Sequence, residues 1–204
     1  MNSNSREILN NNQIDIIIER LCQELIENHN DFSNTVLVSL MPRGKYIGKQ
    51  IHDKLEEIIG KKIKYGELDS SFYRDDLRRN EKPIVPHKMK MNLTVSEKNV
   101  VIIDDVLFTG RSVRSALDAL MPFGRPKNIE LLVLINRRLS RELPIEPNYV
   151  GKVIDSIESE NILISKDIYD TCIKQEIDAQ ILNDKDKIND GAEILIINSF
   201  GQMS

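Results

Sequence analysis

Three short apolar runs constrain this chain more than anything else in it: TVLVSL at 35–40, VVII at 100–103 and IELLVLI at 129–135. A strand with one wet face alternates apolar and polar residues. These runs do not, so they read as strands covered on both faces, as in a parallel sheet wrapped by helices. The intervening stretches carry helical spacing. Residues 12–29 place Ile14, Ile17, Ile18, Leu21, Cys22, Leu25 and Ile26 three and four apart. KYIGKQIHDKLEEII continues the pattern through Ile47, Ile51, Leu55 and Ile58, with Gly60 as its stop, and SVRSALDALMPFG does so through Val113, Ala116, Leu117 and Leu120, with Gly124 near its end. Strands alternating with amphipathic helices predict an α/β fold with a mainly parallel central sheet. Further strands are expected within IKYGELDSSFY at 63–73, at YVGKVI (149–154) and at EILIIN (193–198).

A chain of 204 residues, 40% hydrophobic and 29% charged, is enough for one substantial core. The expectation is a flexible start over 1–11 and one domain over 12–204. A net charge of -4 gives no global attraction to nucleic acid or to anionic lipid. Cys22 and Cys172 form no CxxC pair, and His29, His52 and His87 are scattered, so no zinc site built by the protein is expected. With no apolar run near the ~20 residues of a membrane span and no signal-like start, the expected compartment is the cytoplasm, with no membrane partner.

The chemistry concentrates in VVIIDDVLFTGRSV, residues 100–113. The carboxyl end of a parallel strand lies beside the amino end of the following helix, where free N–H groups and the helix dipole favour an anion. Gly110 permits close approach, and Thr109 and Ser112 add hydroxyls to the amides. Asp104 and Asp105 repel a phosphate unless they face hydroxyls or a cation between them. Ribose hydroxyls with hydrated magnesium meet that need, which points to a sugar phosphate. An isolated Asp-Asp pair is more often a helix cap and a solvated neighbour, but here it sits in one block with strand, turn and helix. The block differs from a GxxxxGK[ST] loop in lacking the lysine, and from GxGxxG in having one glycine.

This block strongly resembles the phosphoribosyl pyrophosphate motif of type I phosphoribosyltransferases. Together with PRGKYIGK at 42–49, GELDSSFYRDDL at 66–77, LDALMPFGRPKNIELLVLI at 117–135 and RELPIEPNYVGK at 141–152, it is similar to the pyrimidine operon regulator and uracil phosphoribosyltransferase family, often called PyrR. The resemblance implies a type I phosphoribosyltransferase fold with a flexible loop over about 73–96 and a small hood from about 136 to 204. It implies transfer of ribose 5-phosphate from phosphoribosyl pyrophosphate to a pyrimidine base, uracil first, with magnesium as cofactor and a homodimer or higher homo-oligomer as the assembly.

Residue by residue, the resemblance gives Asp104 and Asp105 the ribose hydroxyls and, through water and the donor, the magnesium. Thr109, Gly110, Arg111 and Ser112, with Phe108 before them, receive the 5-phosphate. Arg43 and Gly44 match the loop that binds pyrophosphate, and Tyr73 and Arg74 begin the loop that closes over the reaction, Arg74 as a catalytic candidate. Arg137 and the strand residues Val153 and Ile154 are the candidates for holding the base.

The chain departs from the family in two places. An Asp-Arg-Gly-His-Arg-Glu-Leu run is usual after the fourth strand, whereas Asn136, Arg137, Arg138, Leu139, Ser140, Arg141, Glu142 and Leu143 stand here. Donor binding is therefore better supported than choice of uracil, and salvage of another base stays open. The family's RNA-binding face uses a Thr-Arg pair, a histidine and a later arginine on the first helix. This chain has Glu19, Arg20, Gln23 and Asn28, and Glu146 stands at a position that is usually basic. Each acid subtracts from phosphate attraction, so RNA stays open as a partner but is disfavoured. Segment 156–175 is longer than the family norm and carries no assigned task.

Overall fold

The computed structural model describes residues 8–73, 91 and 93–155, all within the first of two units, Met1–Ile164. Arg74, most of the expected loop over 73–96, segment 156–175 and the strand expected at 193–198 lie outside the described residues.

Helix α1 (Asn11–His29) begins where Asn10 and Gln13 cap each other: the Asn10 side chain accepts from the Gln13 amide at 2.9 Å, and the Gln13 side chain accepts from the Asn10 amide at 3.0 Å. Its buried stripe is Ile14, Ile18, Leu21, Cys22 and Leu25. Strand β1 (Thr35–Leu40) is buried throughout, and α2 (Gly44–Ile59) closes at Gly60, whose φ of 70° lies in the left-handed region that glycine tolerates. Next come β2 (Lys64–Leu68) and one 3-10 turn at Ser71–Tyr73. The remaining elements are β3 (Asn99–Leu107), α3 (Arg111–Leu120), a second 3-10 turn at Met121–Phe123, β4 (Asn128–Arg137) and β5 (Tyr149–Ile154).

The five strands form one parallel sheet in the order β2-β1-β3-β4-β5. On one face, Val113, Ala116, Ala119 and Leu120 of α3 pack with Val36, Val38, Val100, Ile102, Leu131 and Val133. The other face carries α2, whose Gly48 abuts Ser39, and α1 packs on α2 and β5. Both faces are therefore covered, which is why the strand sequences show no alternation. Among the described residues, no helix is long and apolar enough to cross a membrane.

One boundary differs from the sequence expectation in a way that matters for the site. The strand expected at 100–103 runs on to Leu107, so Asp104 and Asp105 stand inside it and not behind it. The cause is pairing with β4, which continues through Asp104↔Val133 and Val106↔Ile135 to Leu107↔Asn136. Pairing with β1 stops earlier, at Ser39↔Ile103.

Candidate active site

The strand order reverses direction between β1 and β3, one connection leading outward through α2 to β2 and the other through α3 to β4. Beyond such a switch point the two loops part and leave a crevice at the carboxyl ends of the strands. Here β3 runs on past the end of its pairing with β1. The start of α2 fills the step. A Cβ on Gly44 would stand 2.6 Å from the Ile103 carbonyl oxygen and 3.1 Å from Asp104 Oδ1, so only glycine lets this backbone lie against the acid.

Asp104 and Asp105 are 8% and 6% exposed. Asp104 Oδ1 accepts from the Asp105 amide at 2.9 Å and Asp105 Oδ1 from the Val106 amide at 2.8 Å. Burial pushes the Asp104 carboxyl well above the usual range, and the neighbouring Asp105 charge adds to the rise. The bond from the Asp105 amide and the charge of Arg43 pull the other way. Two buried carboxyls thus share a small space, with an arginine from the adjoining loop as partial counter-charge.

A cavity of about 260 Å³ opens beside them, lined by Asp104 and by residues 106–113. Gly110 stands before α3 with φ of 92° and offers no side-chain cap to the first-turn amides. The Thr109 hydroxyl accepts from the Arg111 amide at 3.4 Å. The Arg111 guanidinium turns to Glu142, with Nε 2.6 Å from the carboxylate. Phe108 is braced from behind by Arg137, which is 4% exposed and has its guanidinium carbon 4.1 Å from the ring centre.

Residues 4–169 match the phosphoribosyl transferase domain. Among curated relatives, the bifunctional protein PyrR of Halalkalibacterium halodurans is 43% identical over 162 residues, covering 78% of this chain and 89% of the relative. That of Bacillus subtilis is 37% identical over 166 residues, covering 80% and 91%. The chain belongs to the PyrR family of phosphoribosyltransferases. Its fold is that of solved type I enzymes: a hypoxanthine phosphoribosyltransferase from Staphylococcus aureus superposes with a TM-score of 0.58 at 21% identity, covering 74% of this chain and 77% of that one. The enzyme from Trypanosoma cruzi gives 0.59 at 15%, covering 74% and 82%.

Against this PyrR-family background, the structure brings Arg43, Gly44, Asp104, Asp105 and Phe108 to Ser112 to one end of the sheet. Arg137 lies against Phe108, and Val153 and Ile154 stand beside Asn136 and Arg137 in register. Val153 is 47% exposed, whereas the Ile154 carbonyl already accepts from the Arg138 amide at 3.2 Å. The RELP stretch at 141–144, expected to bear on the acceptor, lies over the 108–110 turn. The Arg141 guanidinium donates to the Phe108 carbonyl and, at 2.6 Å, to Asn136 Oδ1. Burial lowers its pKa and the nearby Glu146 raises it. No local signal marks this contact, because the partners are about thirty residues apart and meet only when β4 is laid beside β3. Arg20, the one residue kept from the family's RNA-binding pattern, donates to the Val150 and Gly151 carbonyls at 2.8 Å each and pairs with Glu24.

Proposed function

We propose that this protein transfers ribose 5-phosphate from phosphoribosyl pyrophosphate to a pyrimidine base, uracil first, releasing pyrophosphate. The observation that carries the reading is the meeting of three elements at one switch point: the Arg43–Gly44 loop, the Asp104–Asp105 pair and the Thr109–Ser112 turn. The donor carries pyrophosphate, a vicinal diol and a 5-phosphate in that spatial order. Arg43 and the first amides of α2 face the leaving pyrophosphate, the two acids accept from the diol, and the turn before α3 holds the phosphate. Bond formation from the base nitrogen to ribose C1 then accompanies breakage of the C1–O bond, the nitrogen's proton leaves to water or to the departing pyrophosphate, and no nucleophile from the protein is required. Positioning and charge stabilisation supply the rate.

Magnesium fits this arrangement as a passenger of the donor. Among the described residues there is no group of three or more His, Cys, Asp or Glu able to cage a metal, yet two adjacent buried carboxyls call for a counter-charge. Asp104 and Asp105 would face such an ion through its water shell. When bound, it neutralises charge on the departing pyrophosphate.

Incubation with magnesium, donor and each common nucleobase tests the proposal. Formation of UMP and pyrophosphate is expected, and no nucleotide from any base would overturn it. Product from another base alone would move the reading to a different salvage reaction, for which Asn136 in place of the family's acid gives a reason. A second reading, a nucleotide-sensing RNA regulator of pyrimidine genes, draws on the bifunctional PyrR proteins among its relatives. It is weakened by Arg20, whose guanidinium is tied to β5 and Glu24. Salt-sensitive, nucleotide-dependent binding to the protein's own leader RNA would support it.

A further inference from the structure

A loop that receives phosphate must aim its N–H groups inward and keep its carbonyl oxygens away, because each oxygen carries partial negative charge. In a planar trans peptide the two point in opposite directions, so fixing the carbonyl of one residue fixes the N–H of the next. In the turn before α3, both relevant carbonyls are held by the segment between β4 and β5. The Phe108 oxygen accepts from the Arg141 guanidinium. The Thr109 oxygen accepts from the amides of Glu142 and Leu143, each at 3.1 Å. The Gly110 oxygen, in turn, is occupied by the Arg114 amide at 3.0 Å as the first bond of the helix.

Arg141 is itself anchored, since its second nitrogen donates to Asn136 Oδ1 at 2.6 Å. Glu142 adds an ion pair to Arg111, 2.5 Å at the closer nitrogen. Leu143 and Ile145 lie against Gly110, 3.4 Å from where its Cβ would be.

We infer that Arg141, with the backbone of Glu142 and Leu143, forms a clasp that turns the Phe108 and Thr109 carbonyls outward and so aims the Thr109 and Gly110 N–H groups at the sugar 5-phosphate. Arg141 is then a positioning residue for the donor, although it belongs to the segment from which base choice is expected. The inference rests on the reading of residues 109–112 as the phosphate turn. It differs from a direct contact between Arg141 and the base, which would act on the acceptor alone.

The test measures donor binding without acceptor, by calorimetric titration of phosphoribosyl pyrophosphate and of ribose 5-phosphate with magnesium, alongside initial rates with both substrates varied. Arg141→Gln is expected to weaken both ligands about tenfold, with pyrophosphate affinity and acceptor KM within about twofold of wild type. Arg141→Lys should recover part of the loss, because it keeps one charged donor. Asn136→Ala, which leaves the turn intact but frees the guanidinium, should shift donor affinity the same way by less, and it carries the test if Arg141→Gln does not fold. Unchanged donor affinity, or a rise confined to acceptor KM, would overturn the clasp. Wild-type protein that binds neither ligand would remove the phosphate-turn reading itself, whereas donor binding without transfer to any base would remove only the proposed reaction.

Discussion

Gly44 and Asp104 are in backbone contact across the end of β1: a Cβ on the glycine would come within 3.0 Å of the Asp104 Cα and 2.6 Å of the preceding carbonyl oxygen. Neither neighbour is a flexible side-chain tip. Gly44→Ala therefore has to shift the start of α2 or the strand. We expect a loss of about 1–3 kcal/mol in stability, seen in the urea midpoint, with a larger proportional loss in donor kcat/KM.

The burial of Asp104 sets the stability of the fold against the role proposed for this carboxyl. Its pKa is higher in the fold than the ordinary value of 3.8, so the folded chain binds this proton more tightly than the unfolded one. Its unfavourable contribution is absent below the ordinary value and grows as pH rises through the window up to the raised one. Asp104→Asn should thus melt higher than unliganded wild type at neutral pH, the difference shrinking as pH falls, while turnover drops roughly 10²–10³-fold. Equal melting temperatures at neutral pH would reject the argument, and undiminished turnover would reject the role.

Ser39 and Gly48 share one space between β1 and α2. A Cβ at 48 would lie 1.6 Å from Ser39 Oγ and 2.8 Å from its Cβ, so rotating the hydroxyl away does not relieve the clash. Alanine gains about 1 kcal/mol of helix propensity over glycine, which is less than the ~1–3 kcal/mol of overpacking. Gly48→Ala should destabilise, and adding Ser39→Gly should restore the loss in a double-mutant cycle.

Tyr149 supplies a control at the far end of the strands. Its hydroxyl donates to Glu130 Oε2 at 2.7 Å, and His29 Nε2 lies 3.1 Å from the same oxygen. Burial, with the Glu130 bond, holds the phenol above its ordinary pKa. Tyr149→Phe should cost about 1–2 kcal/mol in chemical denaturation and leave kcat unaltered, because these residues sit at the amino ends of β4 and β5, away from the crevice.

Much of the fold was legible because its strands and helices obey local rules. Thr35–Leu40 and Tyr149–Ile154 are bounded as the apolar runs imply, and Gly60 stops α2 where a left-handed residue is needed. The acids and the turn were legible for a similar reason, since they form one uninterrupted block. Reach was not. That β3 carries Asp104 and Asp105 inside the sheet depends on how far β4 pairs with it, and that Arg141 holds Phe108 depends on a connection folding back over the turn. Neither follows from the spacing within a segment.

The bonds from Glu142 and Leu143 to Thr109 also bear on how this protein can be rebuilt. Swapping the stretch after β4 for that of a relative with a different base preference would transplant half of an interlocked joint. Phe108 and Arg111 would have to travel with it, so a chimera that respects only strand boundaries should exchange its acceptor at the expense of its donor.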